Sequence, residues 1–374
     1  MEPQRSARSA PNFSVRSEQH ANSFRSSFTS SFTTSLGRTS RSAESLTGSA
    51  PGLRMLTGDR PTGYLHLGHY FGTIRERVRL QQEGIEAFLV LADYQVITDR
   101  ETTGRIREFV GGAVLDYLAA GLDPDTATIF THSAVPALNQ LLLPFLSLVT
   151  ETELHRNPTV KSELEASGRS LSGLLLTYPV HQAADILFCK ANLIPVGKDQ
   201  LPHVELTRVI ARRFNERYGR IFPQPEAVLT STPELPGLDG RKMSKSHGNA
   251  IALSMTEDET AAIIRRARTD SEKRITFDPV NRPGISSLLM TAAMCRDTTP
   301  EKLADELGNS GASALKSVTT DAVNDFLAEH RRLRREFSED PDLVRHVLER
   351  GNRRANEVAN STLAEVRDAM GMTY

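Results

Sequence analysis

Two short stretches carry residue types that could do chemistry. Residues 57–70 read TGDRPTGYLHLGHY. Gly58, Pro61 and Gly63 punctuate a turn. Leu67, Tyr70, Phe71, Ile74 and Val78 then recur at helical spacing. A helix that opens after such a turn offers unpaired N–H groups and a positive dipole end, which suits phosphate. His66 and His69 stand three apart in its first turn and can face one bound group. An imidazole held there can donate to a phosphate whose charge grows during reaction. Gly68, between them, would let a nucleotide lie against the backbone. The second stretch is Lys242-Met243-Ser244-Lys245-Ser246, inside LDGRKMSKSHGN. Its two ammonium groups could close over a polyphosphate. Taken singly, each stretch also has a plain reading: two surface histidines, and a solvated basic turn.

The elements around these stretches alternate strands and helices, which predicts an α/β fold with a parallel sheet. Leu53–Leu56 is apolar, like a buried strand entering the turn. Ala87–Asp93 (AFLVLAD) is a second buried strand, ending in a carboxylate; Ala127–Thr131 and Leu193–Val196 are further strands. Arg105–Ala120, Val135–Leu148, Val180–Ala191 and Pro202–Tyr218 have helical patterns. Glu151–Ser172 is polar and reads as an irregular insertion, and Pro223–Gly240 as a mobile Pro/Gly-rich loop. Past Leu253 strand signals stop. Thr256–Arg268, Ser286–Met294, Pro300–Leu307, Thr320–Phe337 and Pro341–Met370 predict an all-helical half. The domain plan is therefore a tail at 1–52, a catalytic domain at 53–252 with an insertion near 151–172, and a helical region at 253–374.

Composition narrows the classes. The chain has 374 residues, 39% of them apolar, which is enough for two domains with a sizeable core. Net charge is −1, so a nucleic acid would be held by local patches and not by a global field. Two cysteines, Cys189 and Cys295, exclude a disulfide framework and a four-thiolate zinc site, and fit a reducing compartment. No apolar run is long enough to span a membrane. Residues 1–52 are rich in Ser, Thr and Arg and read as a disordered tail, with an organelle transit peptide as the alternative. The location expected is cytoplasmic. There is no tryptophan in the chain.

The pairing of HLGH early with KMSKS late resembles the class I aminoacyl-tRNA synthetases. The run LLLTYPVHQAADILFCKANLIPVGKDQLPHVELTR from Leu174, with TGDRPTG and PGISSLL at 283–289, is similar to tryptophanyl-tRNA synthetase over essentially all of 53–374. The resemblance implies a Rossmann-type parallel-sheet catalytic domain with an all-helical C-terminal domain. It implies His66, His69, Lys242 and Lys245 as catalytic residues, with no metal held by the protein itself. It places ATP, with its Mg²⁺, on Arg60, Pro61, Thr62, Gly68, His69, Gly197, Lys198, Asp199, Leu235, Lys242, Met243, Ser244, Lys245 and Ser246. Lys161 could add a further charge. It places L-tryptophan against Asp185, Gln182, Tyr178 and Gln95. A carboxylate at Asp185 can accept from an indole N–H, which only donates, and Ala183 and Ala184 leave room for a flat ring. The partners implied are tRNA(Trp), read by the helical half, and a second copy of the chain. The arginines at 265–268, 331–335 and 350–354 could meet tRNA phosphates, and Val135–Leu148 and Val180–Ala191 could form the dimer interface.

Several positions depart from the common bacterial pattern: His69 for Asn, Arg60 for Gln, Lys198 for an acid, Gln182 for Met and Gln95 for His. In these the chain resembles an auxiliary, indolmycin-tolerant branch. The neighbouring readings are a tyrosyl-tRNA synthetase, a nucleotidyltransferase sharing H-x-G-H, and a non-catalytic paralogue that binds tryptophan or a partner protein.

Overall fold

The computed structural model describes residues 52–98, 104–167, 170–229, 234–244 and 247–374. The tail expected at 1–52 lies, but for Gly52, outside the described residues, and so do Lys245 and Ser246. Five strands form one parallel sheet: β1 (Arg54–Asp59), β2 (Glu86–Leu91), β3 (Ala127–Thr131), β4 (Leu193–Val196) and β5 (Glu226–Leu229), in the order β3-β2-β1-β4-β5. Both faces of such a sheet are covered, so its central strands read as apolar runs. In β2, Ala87, Leu89 and Leu91 enter one core cluster while Phe88 and Val90 enter the other. The strand order reverses between β1 and β4. Ligands of open α/β sheets bind beyond the carboxyl ends at such a switch point.

Helix α1 begins at Leu67–His69, continues through a π-helical turn at Tyr70–Ile74 and ends as Arg75–Gln82. The expected helix is therefore present, with one over-wide turn directly behind the histidines, as π-turns often occur at functional sites. Next come α2 (Ile106–Ala119), α3 (Pro136–Gln140) and α4 (Leu142–Leu146). The single helix expected over Val135–Leu148 is broken because Pro144 has no N–H for the Gln140 carbonyl. Glu151–Ser172 is not irregular. It holds α5 (Glu151–Arg156) and α6 (Pro158–Ser167). A capping box starts α5, with Glu153 N–H donating to Thr150 Oγ1 at 3.3 Å and Thr150 N–H donating to Glu153 Oε2 at 2.8 Å. Helix α7 (Gly173–Leu187) starts seven residues before the expected Val180, and α8 (Leu201–Tyr218) follows β4. Strand β5 lies inside the stretch read as loop. It is four residues long and lacks buried side chains, so period-two patterning cannot reveal it.

The C-terminal half is helical: α9 (Glu257–Arg265), α10 (Pro283–Cys295), α11 (Pro300–Leu307), α12 (Gly311–Ser338) and α13 (Leu343–Ala369). It shares its core with the sheet. Leu315, Val323 and Leu327 of α12 join the cluster containing Val114 and Tyr117 of α2. Ala355, Ala359, Leu363 and Val366 of α13 join the cluster on the other face. Helix α13 covers the edge strand β3. Gly351 lies so close that a Cβ there would stand 1.8 Å from the Ile129 carbonyl oxygen. Thr131 N–H donates to Asn352 Oδ1 at 3.1 Å, which satisfies an otherwise open sheet edge.

Many of the clustered arginines are engaged within the chain. Arg331 is buried and donates to Thr260 Oγ1 at 2.8 Å. Arg334 donates to the buried Asp116 at 2.7 Å, Arg332 bonds Glu329 and Glu336, and Arg350 pairs with Asp125. Arg331 and Arg334 are thus committed to partners inside the fold, whereas the ion pairs of Arg332 and Arg350 lie at the surface. The apolar faces expected for a dimer interface are also largely used internally. Val180, Ala183, Ala184, Leu187 and Phe188 are fully buried, while Leu143 of α4 is exposed. Among the described residues no helix is long and apolar enough to cross a membrane.

Candidate active site at the switch point

The carboxyl end of β1 is anchored before it turns. Asp59 accepts from Arg77 Nη1 and from Tyr117 Oη, both at 2.5 Å. Burial alone would push the Asp59 carboxyl up, but the Arg77 guanidinium and then His69 outweigh it and hold it well below the usual carboxylate range. The turn Arg60–Thr62 is thus set by a buried charge network. Thr62 N–H donates to the Arg60 carbonyl at 2.8 Å, and Pro61 is buried. At the start of α1 the His66 and His69 rings lie 3.7 Å apart between centroids. His69 Nδ1 accepts from the His66 backbone N–H at 3.1 Å, so in the neutral ring the proton sits on Nε2. Both imidazoles therefore occupy the helix entrance.

The lysine loop meets this entrance. Leu67 N–H donates to the Ile251 carbonyl at 3.0 Å, and Leu253 N–H donates to the Leu65 carbonyl at 2.9 Å. His66 pairs with Ala252 as an isolated bridge. A Cβ at Gly68 would stand 3.4 Å from Met243 Sδ. Gly68, His69 and the lysine motif thus adjoin. Lys242 Nζ lies 3.7 Å from Asp199 and 3.5 Å from Glu234, with all three side chains largely exposed. Gly197 closes β4, and Lys198 and Asp199 follow on an exposed 3-10 turn. Leu235 is buried beneath the loop. The loop's shape comes from Asn249, which is buried: Ser244 N–H donates to its Oδ1 at 2.8 Å, and its Nδ2 donates to Asp239 Oδ1 at 2.7 Å and to the Lys242 carbonyl at 3.1 Å. Burial would raise the Asp239 carboxyl; the bonds from Asn249 and Arg241 lower it to about 2. Lys161 is exposed on α6.

The other end of the site, around Asp185, is drier. Asp185 on α7 is buried, with His132 Nε2 2.8 Å from its Oδ1. The two atoms are not aligned as a hydrogen bond, and each is buried with no hydrogen-bond partner among the described residues, as is His132 Nδ1. The His181 ring lies 4.6 Å from the His132 ring and its Nε2 is 2.8 Å from Asn139 Oδ1. Burial holds the His181 imidazole below its ordinary value. Gln182 Nε2 donates weakly to Gln200 Oε1 at 3.4 Å, which joins α7 to the turn carrying Asp199. Tyr178 Oη is 3.2 Å from His203 Nε2 on α8. Burial lowers His203 to about 4, with Asp199 opposing and Arg60 assisting. Gln95 sits on the 3-10 turn Tyr94–Thr98 beyond β2 and is half-buried.

His132, His181 and Asp185 each offer one ligand atom, all within 4.8 Å of one another. Two ligands on one tetrahedral zinc stand about 3.3 Å apart, given bonds near 2.0–2.1 Å. The 2.8 Å His132–Asp185 separation is a direct contact, too close to be bridged as it stands.

A family model described as tRNA synthetases class I (W and Y) matches residues 49–328. The chain belongs to that family. The tryptophan–tRNA ligase of Thermotoga maritima is 40% identical over 329 residues, which are 86% of this chain and 100% of the relative. That of Treponema pallidum is 41% identical over 329 residues, covering 86% of this chain and 97% of its own. A Campylobacter jejuni tryptophanyl-tRNA synthetase, solved with ADP and tryptophan, superposes with a TM-score of 0.75 at 30% identity, covering 85% of this chain and 100% of that one. The parallel sheet with helices is the Rossmann-type class I fold expected from the sequence.

Within this class I chain, sequence reasoning singled out the contiguous motifs and missed their supports. Asp59 with Arg77 and Tyr117, Asn249 with Asp239, and His132 were not singled out. A signal existed for two of them. Asp59 and His132 are the residues at which the apolar runs of β1 and β3 give way to ionisable ones, at the carboxyl ends where ligands bind.

Proposed function

We propose that this chain is a tryptophan–tRNA ligase. The carboxylate of L-tryptophan attacks the α-phosphorus of ATP, which enters with its Mg²⁺. Pyrophosphate leaves and tryptophanyl-adenylate remains. The terminal ribose 2′-hydroxyl of tRNA(Trp) then attacks the acyl carbon, and AMP leaves. The reading is carried by one observation. The HLGH helix entrance and the segment after the lysine motif are joined by paired backbone hydrogen bonds at the sheet's switch point. The relatives' names support it, as does the ADP and tryptophan bound in the Campylobacter jejuni structure.

Under this reading His66, His69, Lys242 and Lys245 bind and neutralise the phosphates, while Gly68 lets the nucleotide approach. Arg60–Thr62, Gly197–Asp199, Leu235 and the remaining loop residues Met243, Ser244 and Ser246 complete the nucleotide end. Asp185, Gln182, Tyr178 and Gln95 bound the indole end. No protein nucleophile is needed; positioning and charge stabilisation supply the rate. The region 253–374 reads the anticodon, and two copies share a tRNA. The departures at Arg60, His69, Gln95, Gln182 and Lys198 mark an auxiliary copy tolerant of indolmycin.

The test is ATP–pyrophosphate exchange with tryptophan, with tyrosine and with no amino acid. Exchange with tryptophan alone is expected. Equal exchange with tyrosine would overturn the substrate assignment, and no exchange with either would overturn the activity. Indolmycin inhibition equal to that of an ordinary bacterial enzyme would overturn the auxiliary branch alone.

A further inference from the structure

We infer that His132 is a positioning residue of the amino-acid pocket: on substrate binding its Nε2–H closes onto Asp185 Oδ1 and leaves the second carboxylate oxygen for the indole N–H. This rests on the reading of Asp185 as the indole acceptor. His132 belongs to neither the HLGH nor the KMSKS stretch. It lies on the 3-10 turn His132–Ala134, directly past the carboxyl end of β3, and is fully buried.

Two observations carry the assignment. First, His132 Nε2 and Asp185 Oδ1 face each other at 2.8 Å, both buried, and neither has a hydrogen-bond partner among the described residues. A buried carboxylate oxygen without a donor is unfavourable. A small rotation of either side chain would align the pair, and polar contacts at active sites often tighten only when the ligand arrives.

Second, the turn that carries His132 is pinned on every side. Asn139 Nδ2 donates to the His132 carbonyl at 3.1 Å, and Asn356 Nδ2 of α13 donates to the Ala134 carbonyl at 2.6 Å. Ser133 N–H donates to Asp93 Oδ1 at 3.0 Å, and Thr131 N–H is held by Asn352. The imidazole is thus delivered by fixed backbone. The His181 ring packs against it, and Asp93 and Asp185 are the carboxylates that act on the His181 imidazole. With one oxygen of Asp185 occupied by His132, the carboxylate cannot swing between orientations. A fixed acceptor discriminates between an indole N–H and a phenyl edge better than a mobile one.

A histidine that merely fills the core would be replaced by leucine with little change in substrate handling. A donor cannot be. In exchange assays on the full chain, His132→Leu is expected to raise the KM for tryptophan roughly tenfold or more, as for loss of a hydrogen bond to a charged group. The kcat and the KM for ATP stay near wild type. His132→Gln, which can still donate, restores the KM to near wild type. Combined with Asp185→Asn, His132→Leu adds nothing further, because it acts through that carboxylate. An unchanged KM in His132→Leu, an equal rise in His132→Gln, or additive effects in the double variant would each overturn the inference while Asp185 keeps its role. If Asp185→Asn alone leaves tryptophan affinity and selectivity intact, the parent assignment fails, and this one with it. Should His132→Leu not fold, His132→Asn replaces it: too short to reach, it is expected to raise the KM with an unchanged melting curve, and a wild-type KM overturns the inference.

Discussion

The two ends of the site are built on opposite electrostatic plans. At the nucleotide end the charges stand in water. Lys242, Asp199 and Glu234 are 60–70% exposed, and the Lys242–Asp199 separation is 3.7 Å. Pairs of that kind contribute roughly 0–1 kcal/mol and are screened by salt. Lys242 can therefore leave Asp199 for a phosphate at small cost. At the indole end Asp185 is 2% exposed and His132 0%. Removing one partner from such a site leaves the other stranded, a larger penalty. Under the proposed function, the exposed end can move onto a highly charged ligand, and the buried end refuses ligands that lack one donor.

Substitution at the buried end should have the larger effect. Asp185→Asn keeps size and removes the charge. It is expected to lower kcat/KM for tryptophan by about 10³ and to abolish discrimination against tyrosine and phenylalanine, since sites built around one polar contact reject analogues by about 10⁴–10⁵. Exchange assays with the three amino acids read this directly; unaltered rejection would remove the contrast between the ends. Lys242→Ala comes next. It should slow adenylate formation by about 10²–10³, the usual scale for one charge-stabilising donor, and leave tryptophan binding intact. Single-turnover kinetics and equilibrium binding separate the two. A raised tryptophan Kd would show that the ends are not independent. The same experiment on Lys245→Ala tests the second ammonium of the motif.

The buried end also carries a pH signature. His203 has its imidazole lowered by burial from the ordinary 6.5 to about 4. Between those values the unfolded chain binds a proton that the folded residue refuses. Stability is therefore full above about 6.5 and falls as the pH drops toward 4. The expected loss is roughly 2–3 kcal/mol by pH 4.5, at 1.36 kcal/mol per pH unit. Urea unfolding of the wild type and of His203→Gln across this range measures it. The variant should lose less stability by that margin; parallel curves would show that the tyrosine–histidine pair is not sealed from water.

How far the sequence was legible follows the same division. The nucleotide end is written in contiguous motifs, because a helix entrance and a loop are local structures: His66, Gly68 and His69 fall within one turn, Lys242 and Met243 side by side. Their meeting is not local. It depends on backbone pairing of 65–67 with 251–253, which no spacing rule foretells. The proposed indole end is assembled from single residues on the turn after β3, on α7 and on α8, polar side chains set beside apolar runs. Asp185 is legible through the family resemblance; His132 shows only as the first ionisable residue past the apolar run of β3. The helices of 151–172 escaped because their polar faces outweigh the small cluster of Val160, Leu175 and Tyr178 that holds them. The helical half was legible as helices, but not as the second wall of the sheet's core, since periodicity identifies a buried face and not its partner.

The mildest perturbation probes the support of the exposed end. Asn249 contacts no proposed ligand, yet three of the loop's polar groups converge on it. Its neighbour Gly237 leaves no room for a larger residue: a Cβ there would stand 2.2 Å from Asn249 Nδ2. Asn249→Ala removes these bonds while the loop's carbonyls remain reachable by water. The expected effect is a loss of about tenfold in adenylate formation, equal to about 1.4 kcal/mol, from one or two net hydrogen bonds. The KM for tryptophan and the indole-end selectivity should not change. Rapid-quench measurement of adenylate formation, set beside tryptophan titration, decides it. A variant that lost tryptophan affinity as well would mean that loop geometry is felt at Asp185, and the two ends would then be one cooperative unit.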